Sequence, residues 1–231
     1  TQPLGGNYDG VYGVLAGLEL LRTLNDHNVE TERDVVLVNW TNEEGARFAP
    51  AMLSSGVWTG QFSEAYAHAR ADNDGITVGE ALESIGYRGE TPARAFQVHA
   101  CYELHIEQGP ILEDEAIDIG LVRAAMGQRW FTLTLDGFAA HAGTTPMHSR
   151  RDALTAFAEL ALKVEEIGYR HAPDGRATIG MAKVTPNSRN VVPSRVECSV
   201  EFRHPAQQAL EAMEAALHQV AESLQLRGVA A

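Results

Sequence analysis

Apolar side chains at Val11, Val14, Leu15, Leu18, Leu21 and Leu24 recur at three- and four-residue intervals, which predicts an amphipathic helix. The next apolar run is continuous: Asp34 to Trp40, DVVLVNW, is too short for a helix and reads as a buried strand. Helix followed by core strand is the order of an α/β layer. Further along, TVGEALESIG pairs Thr77 with Glu80 as a capping box and stops at Gly86, predicting a short helix. HACYELHIEQGP then reads as a second strand, with Leu104 and Ile106 on the core face and Glu103, His105 and Glu107 on the other.

From Gly120 onward the rhythm changes. Phe131, Leu133 and Leu135 alternate as in a half-buried strand, and Leu154, Phe157, Ala161, Val164 and Ile167 form a helical stripe expected to end at Gly168. Ile179 and Met181 mark another strand, Val196, Cys198, Val200 and Phe202 a third, and Leu210, Met213, Leu217, Val220 and Leu224 a last helix. Strand, helix, strand, strand, helix is the order of a ferredoxin-like split βαβ unit lacking its final strand. The expected class is α/β: helices on a mixed sheet in residues 1–121, incomplete at both ends, and an α+β ferredoxin-like unit in residues 122–231.

Composition narrows the function classes. With 231 residues, 45% hydrophobic and 21% charged, the chain can bury a core, and neither disorder nor a collagen-like repeat fits. A net charge of -13, from 18 basic residues against 31 acidic ones, argues against a nucleic-acid partner. No apolar run approaches the roughly 20 residues of a membrane span. TQPLGGNYDG has neither the basic nor the apolar region of a secretion signal, so the cytoplasm is the expected address, with no membrane partner. Cys101 and Cys198 cannot build a disulfide framework or a zinc ribbon and are expected to be buried as small apolar residues.

Candidate chemistry gathers where the apolar segments stop. Glu43 and Glu44 follow the Val35 to Trp40 run, and ligands in open α/β sheets collect beyond the carboxyl ends of strands. Neighbouring side chains in extended backbone point apart, so one carboxylate can bind a metal while the other moves protons; a solvated acidic loop is the alternative. Asp9, in GGNYDGVYGV, can cap the helix that follows or bind a divalent ion. The loop lacks the pattern of a phosphate cradle. His105 is either structural or a ligand oriented by the carboxylates beside it. His141 lies in a loop of small residues, GFAAHAGTTPM, and Asn190 in PNSRNVVPSR. Arg203, in EFRHP, either continues a solvated face or forks a carboxylate. ADNDG, Ala71 to Gly75, has the middle of a calcium-loop pattern without its first aspartate or closing glutamate, so a turn is expected.

Five strings in order, GGNYDGVYGVLAGLE, NWTNEEGARFAPAMLSSGVWTG, ELHIEQGPILE, GFAAHAGTTPM and NSRNVVPSRVECSVEFRHP, resemble the amidase, hydantoinase and carbamoylase branch of the dinuclear metallopeptidase superfamily. The resemblance runs over nearly the whole chain. That branch includes N-carbamoyl-L-amino acid hydrolases, β-ureidopropionases and allantoate amidohydrolases. It implies a metal-dependent hydrolase of linear C–N bonds in ureido or amide groups, above all of N-carbamoyl-L-amino acids. Allantoate, or N-acyl amino acids and dipeptides, are the alternative substrates, and a non-catalytic dimerising chain is the alternative of a different class.

The same resemblance implies two divalent ions, Zn²⁺ or Mn²⁺, with Co²⁺ and Ni²⁺ open. Asp9 matches the carboxylate that bridges the ions, Glu44 and His105 match further ligands, and Glu43 matches the general base. Gln108 matches a residue near the substrate, His141 one that polarises the scissile carbonyl, and Asn190 and Arg203 the pair that holds the substrate carboxylate. Residues 1–121 then belong to a catalytic domain, and residues 122–231 to a lid through which such enzymes form homodimers. Two further ligands of the family pattern, both histidines, are expected immediately before Thr1 and well beyond Ala231.

Overall fold

The computed structural model describes residues 6–231. The chain divides into two compact units, Thr1–Gly120 and Leu121–Ala231.

The first unit carries α1 (Val11–Asp26), α2 (Leu53–Trp58), α3 (Glu64–His68), α4 (Val78–Ser84) and α5 (Ile111–Asp114). The apolar stripe read in the sequence becomes α1. On it, Gly13 and Gly17, four residues apart, stand against the carbonyl of Leu104 and the side chain of Leu37; a Cβ at either would come within 2.7 Å and 2.5 Å of them, respectively. The two segments expected as strands therefore do lie against the helix. Neither is a strand, however. Asp34 to Trp40 and the HACYELHIEQGP segment form no ladder with any described residue, and Val36, Tyr102 and Leu104 are exposed. A strand needs a neighbour for its N–H and C=O groups. The described part of this unit supplies none, so irregular backbone beside a helix stands where a mixed sheet was expected.

The rest of this unit is locally determined. At α4, Glu80 N–H donates to Thr77 Oγ1 (3.2 Å) and Thr77 N–H to Glu80 Oε2 (2.8 Å), the capping box the sequence predicts. Phe48, Leu53, Val57, Ala67 and Val78 form a small core joining α2, α3 and α4 to the loop ahead of them. ADNDG is a turn: Asp72 Oδ1 accepts from the N–H groups of Asp74 and Ile76, and Oδ2 from Arg47 Nε at 2.9 Å. Arg47 also lies over the Phe48 ring, 4.8 Å from its centre. Burial opposes ionisation of Asp72, but Arg47 and the two backbone N–H groups outweigh it and hold the carboxyl below its ordinary value of 3.8. A depressed carboxyl stabilises above the unfolded value, and that contribution is lost as pH falls through the folded one. Urea midpoints of wild type and Asp72→Asn should therefore differ most near neutral pH and converge below pH 3.8; a constant difference would deny the ion pair its role.

The second unit contains β1 (Gly127–Asp136), β2 (Ala140–His141), α6 (Ala153–Arg170), β3 (Arg176–Thr185), β4 (Val191–Val192), β5 (Arg195–His204) and α7 (Gln207–Leu224). β5 lies between β1 and β3, antiparallel to both, as the split βαβ order requires. Val196, Cys198, Val200 and Phe202 are all buried, as their alternation predicts, and pack with Leu135 against Leu160, Val164, Leu210, Met213 and Leu217 of the two long helices. Asp136 and Ala230 exchange both backbone hydrogen bonds, at 2.8 and 3.0 Å. The chain after α7 thus returns beside β1, the place of the fourth strand in this order, and one pair of it is formed.

Four expectations change here. Leu154 is exposed while Ala153, Ala156 and Leu160 are buried, so the core face of α6 is rotated from the stripe read in the sequence. Gly168 does not end α6, which runs to Arg170; it is buried against Ala177, whose Cβ would lie 2.9 Å from an added methyl, and lets the helix close on β3. Met181 faces solvent although Ile179 is half-buried, because a bulge between Thr178 and Met181 shifts the register. Cys101 is exposed, and only Cys198 is buried; its thiol is pushed up to about 11 by burial and then by Glu197.

Candidate active site

Asp9 is the one charged residue buried among those described. It does not cap α1: the cap position is Gly10, with φ +70°, and no side chain bonds there. The carboxylate instead meets His105, whose Nε2 is 3.5 Å from Oδ1. His105 Nδ1 lies 2.6 Å from the carbonyl of Ile106, a contact that needs an N–H and so assigns the proton to Nδ1.

Glu44 approaches the same group. Its carboxyl is raised by burial first, then by the charge of Glu43, then by a hydrogen bond shared with Asp9. Two carboxylates and an imidazole brought this close are held together by a proton or a cation. Mixed oxygen and imidazole donors of this kind fit a divalent ion such as Zn²⁺ or Mn²⁺. The contacts are pairwise, each made to Asp9; among the described residues no three His, Cys, Asp or Glu side chains surround one point.

The loop from Asn42 to Leu53 gives the two glutamates different exposure. Asn42 has φ +56°, and its Nδ2 donates to the carbonyls of Phe48 (2.8 Å) and Pro50 (3.3 Å). Met52 N–H donates to the Glu43 carbonyl at 2.6 Å. Gly45 has φ +67°, and a Cβ there would sit 2.5 Å from Ala51 N, so no side chain fits. As a result Glu43 is exposed and Glu44 is half-buried toward Asp9. Gln108 is exposed at φ +55°, its Nε2 close to Gly6 in the loop that carries Asp9. Left-handed backbone at non-glycine residues costs on the order of 1–3 kcal/mol each, and Asn42, Met52 and Gln108 all show it. Asn42 and Gly45 were not singled out by sequence, although Asn and Gly flanking a Glu-Glu pair are the residue types that tolerate such backbone.

In the second unit, β2 pairs with β4 so that His141 faces Val191, and Ala142 N–H donates to the Asn190 carbonyl at 2.9 Å. Residues far apart in sequence are thereby neighbours. Gly143 N–H donates to His141 Nδ1 at 3.1 Å, leaving the proton on the exposed Nε2. Arg150 holds this loop by donating to the carbonyls of Ala142 (2.6 Å) and Thr145 (3.1 Å); nothing in the local sequence marks it. Arg203 is elsewhere. The β2–β4 loops adjoin the Asp136–Arg195 end of the sheet, and Arg203 is eight residues further along β5, roughly 26 Å at about 3.3 Å per residue. Its Nε donates to Glu201 Oε1 at 2.6 Å.

A buried aspartate thus meets a glutamate and a histidine, beside a second glutamate, and the chain belongs to peptidase family M20/M25/M40, matched over residues 5–229. It is 46% identical over 215 residues to an N-carbamoyl-L-amino-acid amidohydrolase of Rhizobium meliloti, covering 93% of this chain and 52% of that protein. It is 38% identical over 214 residues to an allantoate amidohydrolase of Bacillus subtilis, covering 90% of this chain and 51% of that one. The crystal structure of an amidase of the hydantoinase/carbamoylase family from Burkholderia vietnamiensis matches with a TM-score of 0.92 at 53% identity, over 99% of this chain and 56% of that one. The chain spans about half the length of the curated relatives it matches. No helix among the described residues is long and apolar enough to cross a membrane.

Proposed function

We propose that the chain forms part of a metal-dependent hydrolase of linear C–N bonds that converts N-carbamoyl-L-amino acids to L-amino acids, ammonia and carbon dioxide. The observation that carries this reading is the buried Asp9 shared between Glu44 and His105. Asp9, Glu44 and His105 are the residues that would hold the divalent ions. When bound, the ions lower the pKa of water and polarise the scissile carbonyl.

The protein's own groups do the rest. Glu43, exposed beside Glu44, takes the proton of the attacking water and returns it to the leaving nitrogen. Water adds to the carbamoyl carbon, the bond to the amino acid nitrogen breaks, and the carbamate released decays to ammonia and carbon dioxide. Gln108 donates its amide to the carbamoyl group. His141 donates Nε2–H to the developing oxyanion, while Asn190 and Arg203 bind the substrate carboxylate.

In this reading residues 1–121 are part of the catalytic domain and residues 122–231 are a lid that also joins two copies. The separation of Arg203 from His141 and Asn190 along β5 supports a homodimer, since one small substrate cannot touch both ends of a single strand. Arg203→Ala should raise KM by about 10- to 100-fold, the scale of losing a charge-assisted pair, with a smaller change in kcat; an unchanged KM would remove the assignment.

Ammonia release by the Mn²⁺-loaded enzyme, measured in parallel on N-carbamoyl-L-amino acids and on allantoate, tests the reaction. Release from the carbamoyl substrates supports the proposal. Release from allantoate alone would transfer the substrate to that of the Bacillus subtilis relative, and release from neither, with metal bound, would remove the ureido reading.

A further inference from the structure

Trp130 leaves 67% of a large indole exposed on a folded sheet. It projects from the face of β1 opposite to Phe131, Leu133 and Leu135, which pack with the core under α6 and α7. Glu201 is its partner directly across on β5, and Arg203, two residues on, is its diagonal neighbour on the same face. Arg203 is directly opposite Gln128 on one side and Arg176 on the other. Diagonal positions on one face are about 7–8 Å apart, within reach of an aromatic ring.

The polar groups of this patch are held in place. Trp130 Nε1–H donates to Gln128 Oε1 at 3.4 Å, and Arg176 Nη1 donates to the carbonyls of Pro173 (2.6 Å) and Gly175 (3.0 Å). Arg203 spends Nε on Glu201, which leaves the two terminal amino groups of its guanidinium as the fork for a carboxylate. A lone exposed tryptophan is unremarkable in itself. Here it stands beside that fork. In an α-amino acid derivative the carboxylate and the side chain leave the same carbon, so a carboxylate on Arg203 carries the substituent within a few bond lengths of the indole.

We propose that Trp130 is a specificity-determining residue that forms the apolar wall for the substrate side chain, with Gln128 as the positioning residue for its ring. The inference rests on the carboxylate-binding role proposed for Arg203. It selects N-carbamoyl amino acids with apolar or aromatic side chains over N-carbamoylglycine, and over substrates whose substituent is itself a ureido group.

The test compares kcat/KM for N-carbamoyl-L-leucine and N-carbamoylglycine in the Mn²⁺-loaded wild type, Trp130→Ala and Trp130→Phe. The leucine-to-glycine ratio should fall about ten-fold or more in Trp130→Ala, through KM for the leucine derivative, and recover in Trp130→Phe. A ratio unchanged in Trp130→Ala, including one in which both substrates lose activity equally, overturns this inference and leaves the reaction standing. A wild type inactive on both substrates overturns the reaction, and this inference with it.

Discussion

Glu43→Gln should lower kcat by roughly 10²- to 10⁴-fold, the range expected for removal of a general acid–base group, while bound metal per chain and KM stay close to wild type. Both halves of that expectation come from the loop geometry. Glu43 and Glu44 are adjacent, yet the Asn42 clamp and the left-handed backbone at Gly45 leave Glu43 exposed and turn Glu44 toward Asp9. An amide at Glu43 keeps the shape and forfeits the proton acceptor. Metal analysis alongside turnover separates the outcomes: loss of metal with the lost turnover would make Glu43 a ligand, and retained turnover would remove it from the chemistry.

Asp9→Asn should have the opposite signature. Metal affinity should fall by more than the roughly 100-fold that loss of an outer hydrogen-bond partner costs, and turnover should fall with it. The metal-free protein, however, should keep or gain stability, because an amide donates to Glu44 without the extra proton that the Asp9–Glu44 hydrogen bond needs. A purely structural aspartate would behave the other way, with stability lost and metal binding kept. Chemical denaturation with and without Mn²⁺ distinguishes the two.

The sequence announces those features whose signal is local or periodic. The stripe of α1, the alternation of β5 and the Thr77–Glu80 box are all present because each depends on residues a few positions apart. The segments at Val35 to Trp40 and around His105 have strand composition, but composition cannot supply a hydrogen-bonding neighbour, and none is formed among the described residues. Gly168 and Met181 mislead for related reasons: a glycine can serve close packing as well as termination, and a bulge reverses an alternation that is otherwise sound. At the candidate site, capping and ligation were both open for Asp9 from its position before a helix, and the cap at Gly10 removes the first. That His141 and Asn190 adjoin while Arg203 stands far down the same strand is a matter of register, which no motif spacing encodes.

Gly13 and Gly17 give α1 a further significance. Asp9 precedes this helix, Leu37 leads toward Glu43 and Glu44, and Leu104 immediately precedes His105, so three separate stretches of backbone take their spacing from one rod with two notches cut in it. The helix works as a jig for the proposed centre. Damage to such a jig would not resemble ordinary destabilisation: a Cβ at Gly13 meets the backbone carbonyl of Leu104, so the segment that carries His105 must shift, and the misalignment is felt at residues the altered side chain never touches.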